Sequence, residues 1–178
     1  PRALRRSTPE MEEWIDLYRR DGSSLGRRIP KSAPRAADEY YLHVHVLLCS
    51  EAGGWLLQQR SMAKQFSPGK WDVTGGGVMA GETSRDAAFR EVREELGLRI
   101  PPDRLCFAAR QIVEEAGRCI LDIWYARMDF RAEDCVLQAG EVDGVRLVPF
   151  AELAEACRDK GPAYREVLEK IRALCDAV

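Results

Sequence analysis

The sequence predicts an α/β fold, a sandwich in which helices pack on a mixed β-sheet. Three features predict it: alternating apolar residues mark strands through the middle of the chain, one capped helix interrupts them, and two helical segments follow. A chain of 178 residues, 46% of them hydrophobic, can bury one core without disulfides. We therefore expect one domain over residues 1–178.

The N-terminal part predicts a β-hairpin at about residues 13–29, followed by a loop at 31–38. Asp21-Gly22 supplies the positive φ angles that a tight turn needs. Residues 40–48 then alternate in the way that predicts a strand with one apolar face. His43 and His45 share its other face.

Further strands are predicted at 55–59 and 71–74, and three consecutive glycines, Gly75 to Gly77, should end the second of them. A helix is expected over 84–96, because Thr83 and Asp86 form a capping-box pattern before it and Gly97 stops it. Strands follow at 105–114, 119–128 and 145–148. Two closing helices are expected. The last one has a face of apolar residues at helical spacing that should pack on the core: Tyr164, Val167, Leu168, Ile171, Leu174 and Cys175.

The helix at 84–96 concentrates negative charge on one side. Phe89, Val92 and Leu96 share one face, whereas Glu91, Glu94 and Glu95 lie on the opposite face. Carboxylates at this spacing repel one another unless a cation compensates them. Oxygen ligands suit hard divalent ions such as Mg²⁺ or Mn²⁺. Taken alone, the same residues would more often form an ordinary solvated helix face.

The residues around this helix decide between the two interpretations. Gly76, five residues, Glu82, seven residues, and then Arg90-Glu91-Val92-Arg93-Glu94-Glu95-Leu96-Gly97-Leu98 reproduce a complete Nudix box at 76–98. The chain therefore resembles the Nudix hydrolase superfamily. The resemblance implies an α/β/α sandwich, a loop–helix–loop that binds metal and diphosphate, and attack of water on phosphorus.

Site roles follow from the resemblance position by position. Glu91, Glu94 and Glu95 would hold Mg²⁺ (Mn²⁺ is the alternative), and Glu91 or Glu94 would be the base for the attacking water. Arg90 would orient these carboxylates and bind the diphosphate.

The resemblance gives further roles to the neighbouring loops. Gly75 and Gly76 would contact the diphosphate, and the Gly75 carbonyl is a further possible metal ligand. Glu82 would brace the loop or help to bind a second metal. Glu141, from a loop after the box, is an expected additional ligand.

Within the superfamily, the chain resembles the branch that contains isopentenyl-diphosphate isomerases. The resemblance rests on the stretches 14–18, 42–43 and 66–71. True isomerases carry a cysteine just after the tryptophan equivalent to Trp71, but here Asp72-Val73-Thr74 follows. We therefore expect hydrolysis rather than isomerisation, with a non-catalytic nucleotide-sugar sensor as a third alternative. His43 matches an isomerase metal-ligand position, and whether His43 and His45 take part stays open.

Charge and hydropathy limit the classes of partner that the protein is expected to bind. A net charge of −2 with mixed signs argues against polymeric nucleic acid. No apolar stretch is long enough to span a bilayer, no signal pattern precedes Met11, and the cluster of Arg2, Arg5 and Arg6 is typical of a solvated tail. We expect a cytoplasmic monomer or homodimer that acts on a small-molecule diphosphate.

Two residue classes are expected to be structural. The six cysteines are scattered singly, which favours reduced thiols. Trp71, Trp124 and Tyr125 could stack on a base, but core packing is the commoner role for such aromatics.

Overall fold

A mixed β-sheet dominates the computed structural model, which describes residues 12–115 and 117–177. Within these residues, seven strands form the sheet: β3 (Tyr41–Ser50), β4 (Trp55–Arg60), β5 (Trp71–Asp72), β6 (Thr74–Gly77), β7 (Cys106–Val113), β8 (Cys119–Met128) and β9 (Val142–Val148). The main order is β5-β4-β3-β8-β7, with β6 also on β3 and β9 on β4. The central pair β3–β8 is parallel and the other pairs are antiparallel.

Helices cover both faces of this sheet. Helix α1 (Ser84–Leu96) packs against one apolar cluster with β3, and helices α2 (Phe150–Ala156) and α3 (Pro162–Asp176) pack against a second cluster. The alternation predicted for β3 explains the division, because Val44 and Val46 belong to the first cluster and Leu47 to the second. The predicted α/β/α sandwich with a mixed sheet is confirmed.

The N-terminal hairpin is also confirmed. Strand β1 (Trp14–Tyr18) pairs antiparallel with β2 (Ser24–Pro30) in a separate two-stranded sheet. Gly22 has a φ of +86°, as the predicted turn requires. Tyr18 and Tyr40 exchange two backbone hydrogen bonds of 2.9 Å, and Ile15 and Leu17 are buried. The hairpin is therefore packed onto the body of the protein.

Three predictions need correction. The glycines do not end a strand: Gly75 to Gly77 continue as β6, because the absence of side chains lets their backbone lie against β3. Strand β9 begins at Val142 rather than 145, since its pairing with β4 extends to Arg60. Leu174, predicted on the buried face of α3, is 44% exposed because it lies at the margin of that apolar stripe.

Three further predictions concerned the cysteines, membrane-spanning segments and the N-terminal arginines. All six cysteines are free thiols. In the part of the chain that is described, none of the helices has the length and apolar character needed to cross a membrane. Arg2, Arg5, Arg6 and Met11 lie outside the described residues.

Candidate active site

Helix α1 begins and ends where the sequence predicts. The Thr83 hydroxyl accepts a hydrogen bond from the Asp86 amide at 3.1 Å, and the Asp86 carboxylate accepts one from the Thr83 amide. Gly97 ends the helix with a φ of +69°. Ala87, Val92 and Leu96 are buried beneath it, and this packing fixes the direction in which the glutamates project.

Glu95 does not share the solvent side of the helix, contrary to the simple two-face prediction. It is only 6% exposed, and its Oε2 accepts hydrogen bonds from Gln58 Nε2 at 2.8 Å, Thr74 Oγ1 at 2.6 Å and the Gly75 amide at 3.3 Å. Burial raises the pKa of Glu95, and these three donors oppose the increase. The helix thus presents this carboxylate to β4 and β6, at the floor of the site.

Glu91 is buried beside the glycine strand. Its side chain is 12% exposed, and Oε1 accepts a 2.7 Å hydrogen bond from Arg90 Nη1. Burial raises the pKa of Glu91 to about 7; the Arg90 charge opposes this effect and the Glu95 charge adds to it. A Cβ on Gly76 would lie 2.1 Å from Glu91 Oε1, so the carboxylate occupies the space that a side chain at 76 would need.

Arg90 connects the acidic groups. Its Nε and Nη2 donate to Glu82 at 2.9 Å each, Nη2 also donates to the Gly77 carbonyl at 2.9 Å, and Nη1 reaches Glu94 at 3.3 Å. Burial alone would lower the pKa of Arg90, but the Glu82 and Glu91 carboxylates raise it. Arg90 is therefore a permanent cation that fixes the geometry of its neighbours.

The other predicted acids lie at different places. Glu94 is 41% exposed and also lies 3.9 Å from Arg93. Glu141 forms an ion pair with Lys64. Glu82 pairs with Arg90 and is not among the residues that line the cleft.

A cleft of about 770 Å³ brings most of the predicted site together. Its lining includes the predicted residues Gly75, Gly76, Arg90, Glu91, Glu94, Glu95 and Glu141. Cationic side chains that were not predicted as site residues also line it: Lys31, Arg35, Arg60 and Lys64. Trp71, Trp124 and Tyr125 do not line it, in agreement with their expected packing role. The cleft therefore offers carboxylates for a cation beside cations for phosphate oxygens.

The donor set fits a hard divalent cation, although the side chains do not converge on one point. Among residues 12–115 and 117–177, no group of three His, Cys, Asp or Glu side chains is arranged to bind one ion. Glu91 and Glu94 share Arg90, whereas Glu141 pairs with Lys64, so these carboxylates are directed to cationic side chains rather than to one common point. Burial and the nearby Glu95 charge raise the pKa of Glu91 although Arg90 pairs with it.

His43 and His45 lie on β3 as predicted, but in different surroundings. The rings of Tyr41, His43, His45 and Tyr164 form successive edge contacts, and His45 Nδ1 lies 3.0 Å from the Tyr164 hydroxyl. His43 lines the cleft, whereas His45 does not. Burial lowers the pKa of His43 to about 4 and lowers that of His45 as well, so both are neutral at pH 7.

Comparison with known proteins identifies the family. The family model of the NUDIX domain matches residues 39–171. The chain belongs to the Nudix family. An uncharacterized Nudix hydrolase of Listeria monocytogenes is 36% identical over 152 residues, which cover 85% of this chain and 87% of the relative. This Nudix chain is thus an enzyme that acts on phosphorus-containing acid anhydrides in small molecules, and Nudix hydrolases generally use divalent metal cations.

Two further comparisons bear on fold and branch. A crystal structure from Deinococcus radiodurans superposes with a TM-score of 0.69 at 22% identity, covering 89% of this Nudix chain and 98% of that chain; this likeness concerns the fold alone. An isopentenyl-diphosphate Delta-isomerase of Streptomyces griseus is 35% identical over 85 residues, which cover 47% of this chain and 43% of the isomerase. The predicted likeness to the isomerase-like branch agrees with this match.

Proposed function

We propose that this Nudix protein is a Mg²⁺-dependent hydrolase of a diphosphate linkage in a nucleoside diphosphate derivative or another small organic diphosphate. One observation carries the proposal: helix α1 directs Glu91, Glu94 and Glu95 to a single cleft that also contains Lys31, Arg60 and other cations. A diphosphate needs both kinds of group, because its oxygens require positive charge while the attacking water must lose a proton.

Glu91, Glu94 and Glu95 would hold the cation, with the Gly75 carbonyl and Glu141 as further ligands. Bound Mg²⁺ would supply charge neutralisation at the phosphate oxygens and a more acidic water. Mn²⁺ offers the same ligand preference and is the alternative.

The remaining roles belong to side chains and backbone of the cleft. Glu91 or Glu94 would accept the proton of the attacking water as general base. Arg90 would keep both carboxylates in place through its short contacts and bind the diphosphate. Gly75 and Gly76, which line the cleft, would contact the diphosphate through their backbone. Glu82 would brace the loop through Arg90 and is the weaker candidate for a second metal.

The cysteines argue against isomerisation. None of the six, all of which lie in the described residues, lines the cleft, and Asp72, at the position after Trp71, instead forms a 2.8 Å ion pair with Lys160. A thiol for proton transfer at carbon is therefore missing from the lining. The partial match to an isomerase keeps this activity as the second candidate.

The test is a product assay over a panel of diphosphate compounds, run with Mg²⁺, with Mn²⁺ and with EDTA. We expect release of a phosphate product that requires the metal, and a loss of at least about 100-fold in turnover in Glu94→Gln and Glu95→Gln with the fold retained. Glu155→Gln, on the surface of α2, is the matched control and should retain activity.

Other outcomes would overturn the proposal. Interconversion of isopentenyl and dimethylallyl diphosphate without phosphate release would establish the isomerase instead. Tight binding of a nucleotide sugar that stays intact after long incubation with either metal would establish a sensor.

A further inference from the structure

We propose that the N-terminal hairpin contributes to the active site and that Asp16 is a positioning residue for the loop that carries Glu82. The inference rests on the proposed function and extends it to a segment outside residues 39–171, the part matched by the family model.

The loop from Met79 to Glu82 depends on the hairpin for half of its backbone hydrogen bonds. The Ala80 amide donates to the Trp14 carbonyl at 2.8 Å, and the Gly81 amide donates to Asp16 Oδ2 at 2.7 Å. The two remaining amides are satisfied inside the loop, because Met79 N donates to Glu82 Oε2 and Glu82 N donates to the Met79 carbonyl, each at 3.0 Å. Removing Asp16 therefore leaves the Gly81 amide without its acceptor.

Asp16 is itself held in place. Strand β1 is anchored by Ile15 and Leu17, which are 1% and 0% exposed, while Asp16, between them in sequence, projects to the other side. Its Oδ1 accepts a 2.9 Å hydrogen bond from Arg28 Nε on β2. One oxygen thus binds the hairpin partner and the other binds the loop, which makes Asp16 a rigid link between them.

The link continues from the loop to the carboxylates of the cleft. Glu82 forms two 2.9 Å hydrogen bonds with Arg90, and Arg90 donates to Glu91 at 2.7 Å. A displaced loop would move Glu82, and Arg90 would then lose the partner that fixes its guanidinium. Asp16 would therefore act on catalysis through Arg90, without touching substrate or metal.

The hairpin also contributes directly to the wall of the cleft. Lys31 follows β2, and its Nζ pairs with Glu13 Oε2 at 2.6 Å; both residues line the cleft. The Lys31 ammonium lies 3.9 Å from the position that a Cβ on Gly77 would occupy. One segment therefore supplies both a support for the loop and a charged pair beside the glycine strand.

The test compares Asp16→Ala with Asp16→Asn and with Asp21→Ala. Asp21 is the matched control, because it lies in the turn of the same hairpin and accepts a 2.8 Å bond from the Ser23 amide, away from the loop. Asp16→Asn keeps an oxygen that can accept from Gly81.

Two readouts are measured on the full chain. In Asp16→Ala, amide hydrogen exchange of Gly81 by NMR should become at least about tenfold faster, and kcat should fall about tenfold with KM changed less than about threefold. Asp16→Asn and Asp21→Ala should stay within about threefold of the parent protein in both readouts. If Asp16→Ala does not fold, Asp16→Ser is used instead. Serine keeps a polar side chain that is too short to bond the Gly81 amide.

The two proposals fail in different ways. If the parent protein cleaves no diphosphate, the proposed function is wrong, and the exchange rates still decide whether Asp16 holds the loop. If the parent protein is active while Asp16→Ala leaves Gly81 exchange and kcat unchanged, the role of Asp16 is refuted. An equal loss in Asp21→Ala would also refute it, because the effect would then be general destabilisation of the hairpin.

Discussion

Single alanine substitutions at Gly75, Gly76 and Gly77 should give three different results, because an added Cβ meets a different neighbour at each position. At Gly75 it would lie 2.1 Å from the Val44 carbonyl oxygen, a backbone atom of the paired strand. At Gly76 it would lie 2.1 Å from Glu91 Oε1, the end of a side chain. At Gly77 its nearest neighbour is Lys31 Cε at 3.6 Å, an ordinary contact.

The magnitudes follow from what must move. Gly75→Ala forces β6 away from β3 and should destabilise the fold by about 3 kcal/mol, the cost of severe overpacking. Gly76→Ala is relieved when Glu91 swings away, which sacrifices its 2.7 Å bond to Arg90 and about 2 kcal/mol of a charged hydrogen bond. Displacement of this carboxylate by about 1 Å should lower kcat/KM about 100-fold. Gly77→Ala should change either quantity little.

The assay is kcat/KM on the best diphosphate substrate, together with urea denaturation of each variant. The expected pattern is loss of stability at 75, loss of activity with a mostly retained fold at 76, and neither at 77. The reasoning is refuted if Gly76→Ala stays within about threefold of the parent in kcat/KM. It is equally refuted if Gly77→Ala loses as much activity as Gly76→Ala.

Three further predictions concern the buried groups of the site. The fold raises the pKa of Glu91 to about 7, so the stability that its protonated form contributes is full below the unfolded pKa of 4.5 and is lost as pH rises through 7. In EDTA, the stability of Glu91→Gln relative to the parent should therefore increase by up to about 3 kcal/mol between pH 4.5 and 8, measured by urea denaturation. The pH dependence of stability due to His43 is the reverse, because burial lowers its pKa from 6.5 to about 4 and stability is lost as pH falls from 6.5 to 4. His43→Gln should remove up to about 3 kcal/mol of that loss, measured by urea denaturation over the same pH range. Thr74→Val removes the donor 2.6 Å from Glu95 and should cost about 2 kcal/mol in thermal or urea unfolding, with Thr74→Ser restoring most of it.

The fold could be predicted largely from local patterns. The 3.6-residue period and the caps gave the bounds of α1 correctly, and the alternation of β3 gave its apolar face but not the burial of Leu47 and Cys49 on the other face. The glycine strand β6 was missed because three glycines carry no side-chain pattern, and their conformation depends on the close approach of Val44. This strand forms because of its contact with β3, and a periodic pattern in the sequence cannot reveal such a contact.

The site shows the same division between local and distant information. Spacing along one helix predicts that Glu91 and Glu94 project to the same side, and both line the cleft because they belong to one rigid element. Gln58, which donates to Glu95 from β4, is 37 residues away in sequence and has no motif of its own. Helical spacing could not predict that Glu95 is buried, because that depends on which strand covers the helix.

The polar contacts of Glu95 explain why a helix can hold so many acids without losing stability. Its carboxylate receives three donors from β4 and β6, and Glu91 and Glu94 receive Arg90. Each of these carboxylates thus has a hydrogen-bond donor, and its remaining lone pairs can accept a ligand. Arg90 in turn depends on Glu82, and Glu82 depends on a loop bonded to the hairpin. The geometry of a divalent-cation site here would therefore be set partly by residues outside the Nudix box, such as Gln58 and Asp16.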